Sequence, residues 1–237
     1  MLSPCAPWLI TAFISLSASG SPAVCDDSAL AQSSPPAGSP AAAPSTPAEV
    51  VARLQQAYEG VRDYTAAFRQ ELTNAALGET TTSTGTIYFK KPGRMRWDYR
   101  TPTVKSLVSD GTTLWIWEPA FRQYAAQPVN QSSAPLALRF LMGQGRLSDE
   151  FEAAVTRRTT GRLTLELTPR SAQGGVERLQ FVIDTGNWTV VEVVLLDPLG
   201  NTNHLYFAEA RINANLPDSG FVFTPPADAH RVDASGR

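Results

Sequence analysis

The two histidines of this 237-residue chain, His204 and His230, and its two cysteines, Cys5 and Cys25, match no metal-binding or nucleophilic spacing. No His-Glu-x-x-His, Cys-x-x-Cys, Gly-x-Ser-x-Gly, phosphate-binding loop or dinucleotide fingerprint occurs. A histidine mechanism would rest on His204 alone, in a strand, where a single imidazole is ordinarily packed or solvent-facing. Distant carboxylates can meet in space, but no spacing marks a pair. The expectation is therefore no catalysis, no cofactor and no metal. Physical chemistry of another kind is open to this chain, the sheltering of apolar matter from water. Phe68, Phe89, Met95, Trp97, Leu114 and Ile116 fall at alternating positions of strand-like segments. Alternation gives each set one face of a sheet. Such a face either fills a core or lines a cavity, and period 2 alone does not separate the two.

The elements that carry these residues follow from local signals. Thr46-Pro47-Ala48-Glu49 combines a capping Thr, a proline at the first helical position and a capping-box Glu. Val50, Val51, Leu54, Ala57, Tyr58 and Val61 then recur at helical spacing. Tyr64 to Leu72 alternates as a strand, and the polar, Thr-rich residues 73–84 read as a loop or frayed edge. From Gly85 to Trp117 the pattern is an antiparallel unit. Ile87 and Phe89 share one face, Pro92-Gly93 turns the chain, and Met95, Trp97 and Tyr99 share a side. Lys105–Ser109 and Thr113–Trp117 flank Asp110-Gly111, a strong hairpin signal.

Gln127 to Ser133 reads as polar loop, and Ala134–Met142 as a short helix with little polar face, stopped by Gly143-Gln-Gly145. Beyond residue 150 the chain is a meander. Ala153–Thr156, Leu163–Thr168, Arg178–Asp184, Val190–Leu196 and Asn203–Ile212 are strand-like, with glycine turns at Gly161, Gly174-Gly175, Gly186 and Gly200. The last ten residues read as a polar tail.

Hydrophobic content of 43% and charged content of 18% describe a globular chain with ample core for one domain. Asp26 and Asp27 are the only charged side chains in the first 47 residues, so the remainder balances at 20 basic against 20 acidic. A neutral domain has little electrostatic hold on phosphate backbones, which excludes nucleic acid as the expected partner. Residues 8–18 form an apolar run of signal-peptide length, too short to span a bilayer. The expected organisation is a signal peptide over 1–31, cleaved after Ala23 or Ala31, and a Pro/Ala/Ser tether over 32–47. A folded domain over 48–228 and a polar tail over 229–237 follow. Cys25 as a lipidated N-terminus is the third reading of the start.

Tyr64-x-x-x-Phe68-x-Gln70, the run from Gly85 through Lys91-Pro92 to Trp97, Pro102, Val108-Ser109-Asp110-Gly111-x-x-Leu114-Trp115, Pro119, Gln123 and Phe223-Thr224-Pro225-Pro226 occur in that order. On these motifs the chain resembles the outer-membrane lipoprotein carrier family, the LolA-like periplasmic lipoprotein chaperones, over Glu49 to Pro226. The resemblance implies a mainly β fold with helices (α+β), an unclosed and strongly curved antiparallel β-barrel capped by helices around a hydrophobic cavity. It implies a monomeric periplasmic shuttle for lipoprotein acyl chains. The partners would be an inner-membrane lipoprotein-releasing ABC transporter and an outer-membrane acceptor lipoprotein. The alternatives are a carrier of another amphiphile, glycolipid or terpenoid, and a lipoprotein sensor. It makes Phe68, Phe89, Met95, Trp97, Leu114, Ile116, Leu136 and Phe140 candidates for the acyl cavity. Met95 would also engage the transporter at the mouth. Lys91 stands where the family commonly has Arg reaching carbonyls of the helical lid. The other reading of Lys91 is a solvated lysine at a strand end.

Overall fold

A computed structural model describes residues 46–129, 145–171 and 175–232. The expected signal peptide and nearly all of the expected tether, the apolar segment carrying Leu136 and Phe140, residues 172–174 and the end of the expected tail lie outside the described residues.

Helix α1 (Pro47–Glu59) starts where its capping box places it. The Thr46 hydroxyl accepts from the Glu49 amide at 3.3 Å, and the Glu49 carboxylate accepts from the Thr46 amide at 3.0 Å. A cap of this kind contributes about 1 kcal/mol. Val50, Val51, Leu54 and Tyr58 form its buried stripe.

Six strands follow in a meander: β1 (Asp63–Asn74), β2 (Glu79–Lys90), β3 (Arg94–Thr101), β4 (Lys105–Ser109), β5 (Thr113–Glu118) and β6 (Gln123–Pro128). A single helical turn, α2 (Leu147–Glu150), leads into a second meander of β7 (Phe151–Thr159), β8 (Arg162–Pro169), β9 (Arg178–Asp184), β10 (Thr189–Leu196) and β11 (Thr202–Ile212). A short strand β12 (His230–Arg231) comes last. All join in one 12-stranded sheet of order β12-β6-β5-β4-β3-β2-β1-β11-β10-β9-β8-β7. Pairing of β1 with β11 stitches the meanders together, and β7 and β12 remain as separate edges, so the curved sheet does not close.

Helix α1 buries its stripe in one core shared by both meanders, which includes Leu163, Leu165, Phe181, Ile183 and Val193 of the second and Phe68, Phe89 and Trp97 of the first. One polar contact fixes it there. The ladder between β9 and β10 slips between Val190 and Glu192, and the Val190 amide donates instead to the Tyr58 hydroxyl at 3.0 Å. Burial pushes the Tyr58 phenol up to about 12, with the Val190 hydrogen bond opposing the rise.

Three local expectations need correction. The Thr-rich stretch is no loop beyond its first residues: β2 begins at Glu79 and pairs residue by residue with β1 up to Asn74. Threonine is β-branched and suits an exposed ladder, as the Thr73–Thr80 hydroxyl contact at 2.9 Å illustrates. Gln127 and Pro128, assigned to loop, end strand β6 opposite Leu114 and Thr113. His230 and Arg231, assigned to the tail, pair in parallel with Gln123 and Tyr124 and cover part of the β6 edge. None of the three carries a hydrophobic alternation, and alternation is what local reading detects.

Candidate functional site

Register decides which side chains meet. Tyr64, Phe89, Met95 and Leu114 lie in one row across β1, β2, β3 and β5, with Ser109 of β4 between the last two. Ala66, Ile87, Trp97, Leu107, Ile116 and Ala125 form the next row, and Phe207, Phe68, Gly85 and Tyr99 the third. Cross-strand partners share a face, so all three rows line one side of the first meander.

On that side the rings are continuous. Phe68 lies 4.9 Å from Trp97 and 5.0 Å from Tyr99, between centroids. Trp97 stacks on Tyr99 at 6.2 Å and meets Phe89 edge-on at 6.4 Å, while Tyr64 reaches Phe89 at 6.2 Å and Phe207 at 6.5 Å. The structure thus brings together Phe68, Phe89, Met95, Trp97 and Leu114, all buried in one cluster, with Ile116 only partly buried beside them. Leu136 and Phe140 lie outside the described residues. The candidate side chains rest against each other. A groove of about 440 Å³ lies elsewhere, between the start of α1 and β7, and none of the candidates lines it.

Tyr64, Tyr99, Leu107 and Phe207 belong to this face and are additional to the residues singled out from sequence. Tyr99 was visible by its alternation with Trp97, whereas Phe207 arrives only through the pairing of β11 with β1. Gly85 has a structural duty as well. A Cβ there would stand 2.1 Å from the Asp98 carbonyl oxygen and 2.8 Å from the Phe68 ring. Only glycine lets Phe68 lie over β2 and touch Trp97.

Lys91 links this sheet to α1. Its amide donates to the Arg62 carbonyl at 2.8 Å, and its ammonium donates to the carbonyls of Tyr58 at 2.6 Å and Glu59 at 3.4 Å. The last turn of α1 contains no basic residue of its own, so a cation from the sheet meets its unsatisfied carbonyls and the negative end of its dipole. Burial lowers the Lys91 ammonium from its ordinary value, partly opposed by the Glu59 carboxylate. The neighbouring Lys90 and Arg94 both pair with Asp218, at 2.5 and 2.6 Å, and Arg96 donates to the Gly220 carbonyl at 3.1 Å. The basic cluster therefore ties down the 3-10 turn at Asp218–Phe221. On the opposite face, Phe223 sits within 6.0 to 6.4 Å of the rings of Trp115, Trp117 and Tyr124. No group of His, Cys, Asp or Glu among the described residues could hold a metal ion.

The fold is an unclosed antiparallel sheet whose curved inner face is aromatic, tied through Lys91 to the end of α1. Residues 59–224 match the family described as outer membrane lipoprotein carrier protein LolA, and the chain belongs to that family. A relative named outer-membrane lipoprotein carrier protein from Dechloromonas aromatica is 29% identical over 187 residues, covering 78% of this chain and 88% of its own. Another of the same name from Cupriavidus pinatubonensis is 30% identical over 189 residues, with the same coverage of both chains. Among solved structures, an uncharacterized conserved protein from Thermus thermophilus shares the fold, with a TM-score of 0.51 at 14% identity. That match covers 78% of this chain and 98% of the other.

Proposed function

We propose that this protein is a periplasmic carrier that takes lipoproteins from an inner-membrane ABC transporter, hides their acyl chains from water and delivers them to an outer-membrane acceptor, working as a monomer. Family membership and the names of the relatives support the reading, and the observation that carries it is the continuous aromatic face latched to α1 by Lys91. Each methylene withdrawn from water contributes about 0.8 kcal/mol, so one long acyl chain exposed to solvent costs on the order of 10 kcal/mol. A carrier must recover that energy and still let go.

The closed arrangement meets both demands. Phe68, Phe89, Met95 and Trp97 satisfy one another when no ligand is present. An entering chain exchanges these contacts for its own, and net affinity is the difference between the two. On release, the rings and the Lys91 contact re-form and oppose rebinding. Phe68, Phe89, Met95, Trp97, Leu114 and Ile116 are the proposed acyl-contact residues, and Lys91 is the proposed latch.

Native mass spectrometry of the protein purified from the periplasm of its own host tests the reading. Triacylated polypeptide bound at one per chain supports it. Free glycolipid or terpenoid lipid would instead favour a carrier of another amphiphile, and consistent absence of any lipid would overturn both. The Lys91→Leu variant, lacking the latch, is expected to retain cargo and transfer it poorly to an acceptor. Transfer at the wild-type rate would remove Lys91 from the mechanism.

A further inference from the structure

One end of the aromatic face changes character. Two residues beyond Phe68 on β1, Gln70 is 7% exposed, and its side chain sits in a hydrogen-bonded set. Gln70 Nε2 donates to Asn203 Oδ1 at 3.0 Å, and the Tyr99 hydroxyl donates to Gln70 Oε1 at 3.1 Å. Ser83, also buried, is the direct cross-strand partner of Gln70 on β2. Two residues further along β1, Leu72 is 40% exposed. The polar set therefore occupies the boundary between a greasy interior and solvent.

Burying an amide among apolar neighbours is unfavourable unless its hydrogen bonds are made. This set makes only some of them. Gln70 and Asn203 each carry two amide protons and Ser83 a hydroxyl proton. Among the described residues, the contacts of these side chains account for one of those protons, the one Gln70 gives to Asn203. Neither Ser83 nor Asn203 has a buried side-chain atom that lacks a partner, so their unused protons are open to solvent at this boundary, where a ligand can reach them. The groups carry no formal charge, and the nearby Lys105 ammonium is engaged over the Tyr99 ring at 4.6 Å. Neutral acceptors fit such a place better than phosphate or a free carboxylate.

We infer that Gln70, Ser83 and Asn203, with Gln70 held in place by the Tyr99 hydroxyl, form a binding site for the ester and amide carbonyls that join fatty chains to a headgroup. The inference rests on the carrier reading and adds an orientation to it. The hydrocarbon lies along Phe68, Trp97 and Phe89, and its polar linkage stops at Gln70, about 20 Å along β1 from Tyr64 at roughly 3.3 Å per residue.

The test compares a diacylglyceryl-cysteine lipopeptide with its diether analogue, which keeps the chains and lacks the ester carbonyls. Fluorescent versions of both are titrated into the full mature chain. The wild type is expected to prefer the ester form by about fivefold, the effect of a net hydrogen bond or so. Gln70→Leu and Tyr99→Phe are expected to abolish that preference while binding the ether form as the wild type does. Tyr99→Phe removes a single oxygen, so it keeps the test informative should Gln70→Leu fail to fold. A wild type that binds both probes equally, or variants that keep the preference, would overturn the inference and leave the carrier reading intact. A wild type that binds neither probe would overturn the carrier reading and the inference with it.

Discussion

The two meanders share one sheet and bury their inner faces differently. In the second, Leu165, Leu167, Phe181 and Ile183 are wholly buried beneath the stripe of α1, and the lining is mostly aliphatic. In the first, the lining is aromatic, and Tyr99, Leu107 and Ile116 are only partly buried along its rows. Aliphatic side chains interdigitate at high density and lose much when disturbed. Aromatic rings accept both offset-stacked and edge-on contact, as Phe68, Trp97 and Tyr99 show, so re-stacking keeps part of their mutual attraction. On the carrier reading proposed above, the half under α1 would hold the fold together and the aromatic half would exchange its own contacts for a ligand's.

The sharpest way to break this comparison is to cut equivalent holes in both halves. Ile183→Ala, at a wholly buried position, should cost about 2–5 kcal/mol in urea denaturation, the range for an isoleucine lost from a rigid core. Ile116→Ala should cost under about 2 kcal/mol, because the side chain is already partly exposed. Equal losses at the two sites would erase the distinction. Gly85→Val is expected to cost about 1–3 kcal/mol by overpacking, and to disturb the ring cluster. The added Cβ must push either the β3 backbone or the Phe68 ring, which changes tryptophan fluorescence and near-ultraviolet dichroism through Trp97. Unchanged spectra would mean that the rings are not held in register by that glycine.

The smallest expected effect is on the latch. Lys91 has a lowered pKa in the fold, so across the interval just below the ordinary lysine value the unfolded chain binds the proton more tightly. In that interval stability from this group rises with pH, while its charge-assisted bond to the Tyr58 carbonyl weakens to that of a neutral amine. Ligand uptake should therefore quicken as pH climbs toward that interval, and should not do so in Lys91→Arg, whose charge persists. An identical pH profile for the two proteins would show that opening does not depend on this contact.

Local reading succeeded wherever a residue's neighbours in the chain settle its state. The capping box at Thr46–Glu49, the alternation of Met95, Trp97 and Tyr99, and the Asp110-Gly111 turn all appear as expected. At that turn the Asp110 carboxylate accepts from the Thr112 and Thr113 amides at 2.7 and 2.8 Å, and Gly111 takes a φ of 99°. Segments whose pairing comes from elsewhere were misread. The start of β2 has no apolar signal, and β12 is held by a parallel partner more than 100 residues away.

What the amino-acid order determined by itself was those strands that carry an apolar alternation and the face their side chains take, because pleating and turn geometry act over a few residues. It also supplied the motif sequence that marks the family. The tertiary structure alone decided that Gly85 lies under Phe68, that Phe207 joins the rings of β1, that Gln70 meets Tyr99 and Asn203, and that Lys91 reaches the end of α1. Those encounters depend on inter-strand register and on the pairing of β1 with β11, which no local pattern encodes. Register is set by burial summed over the whole sheet, since a slip of one residue would turn a strand's buried inner face out into water.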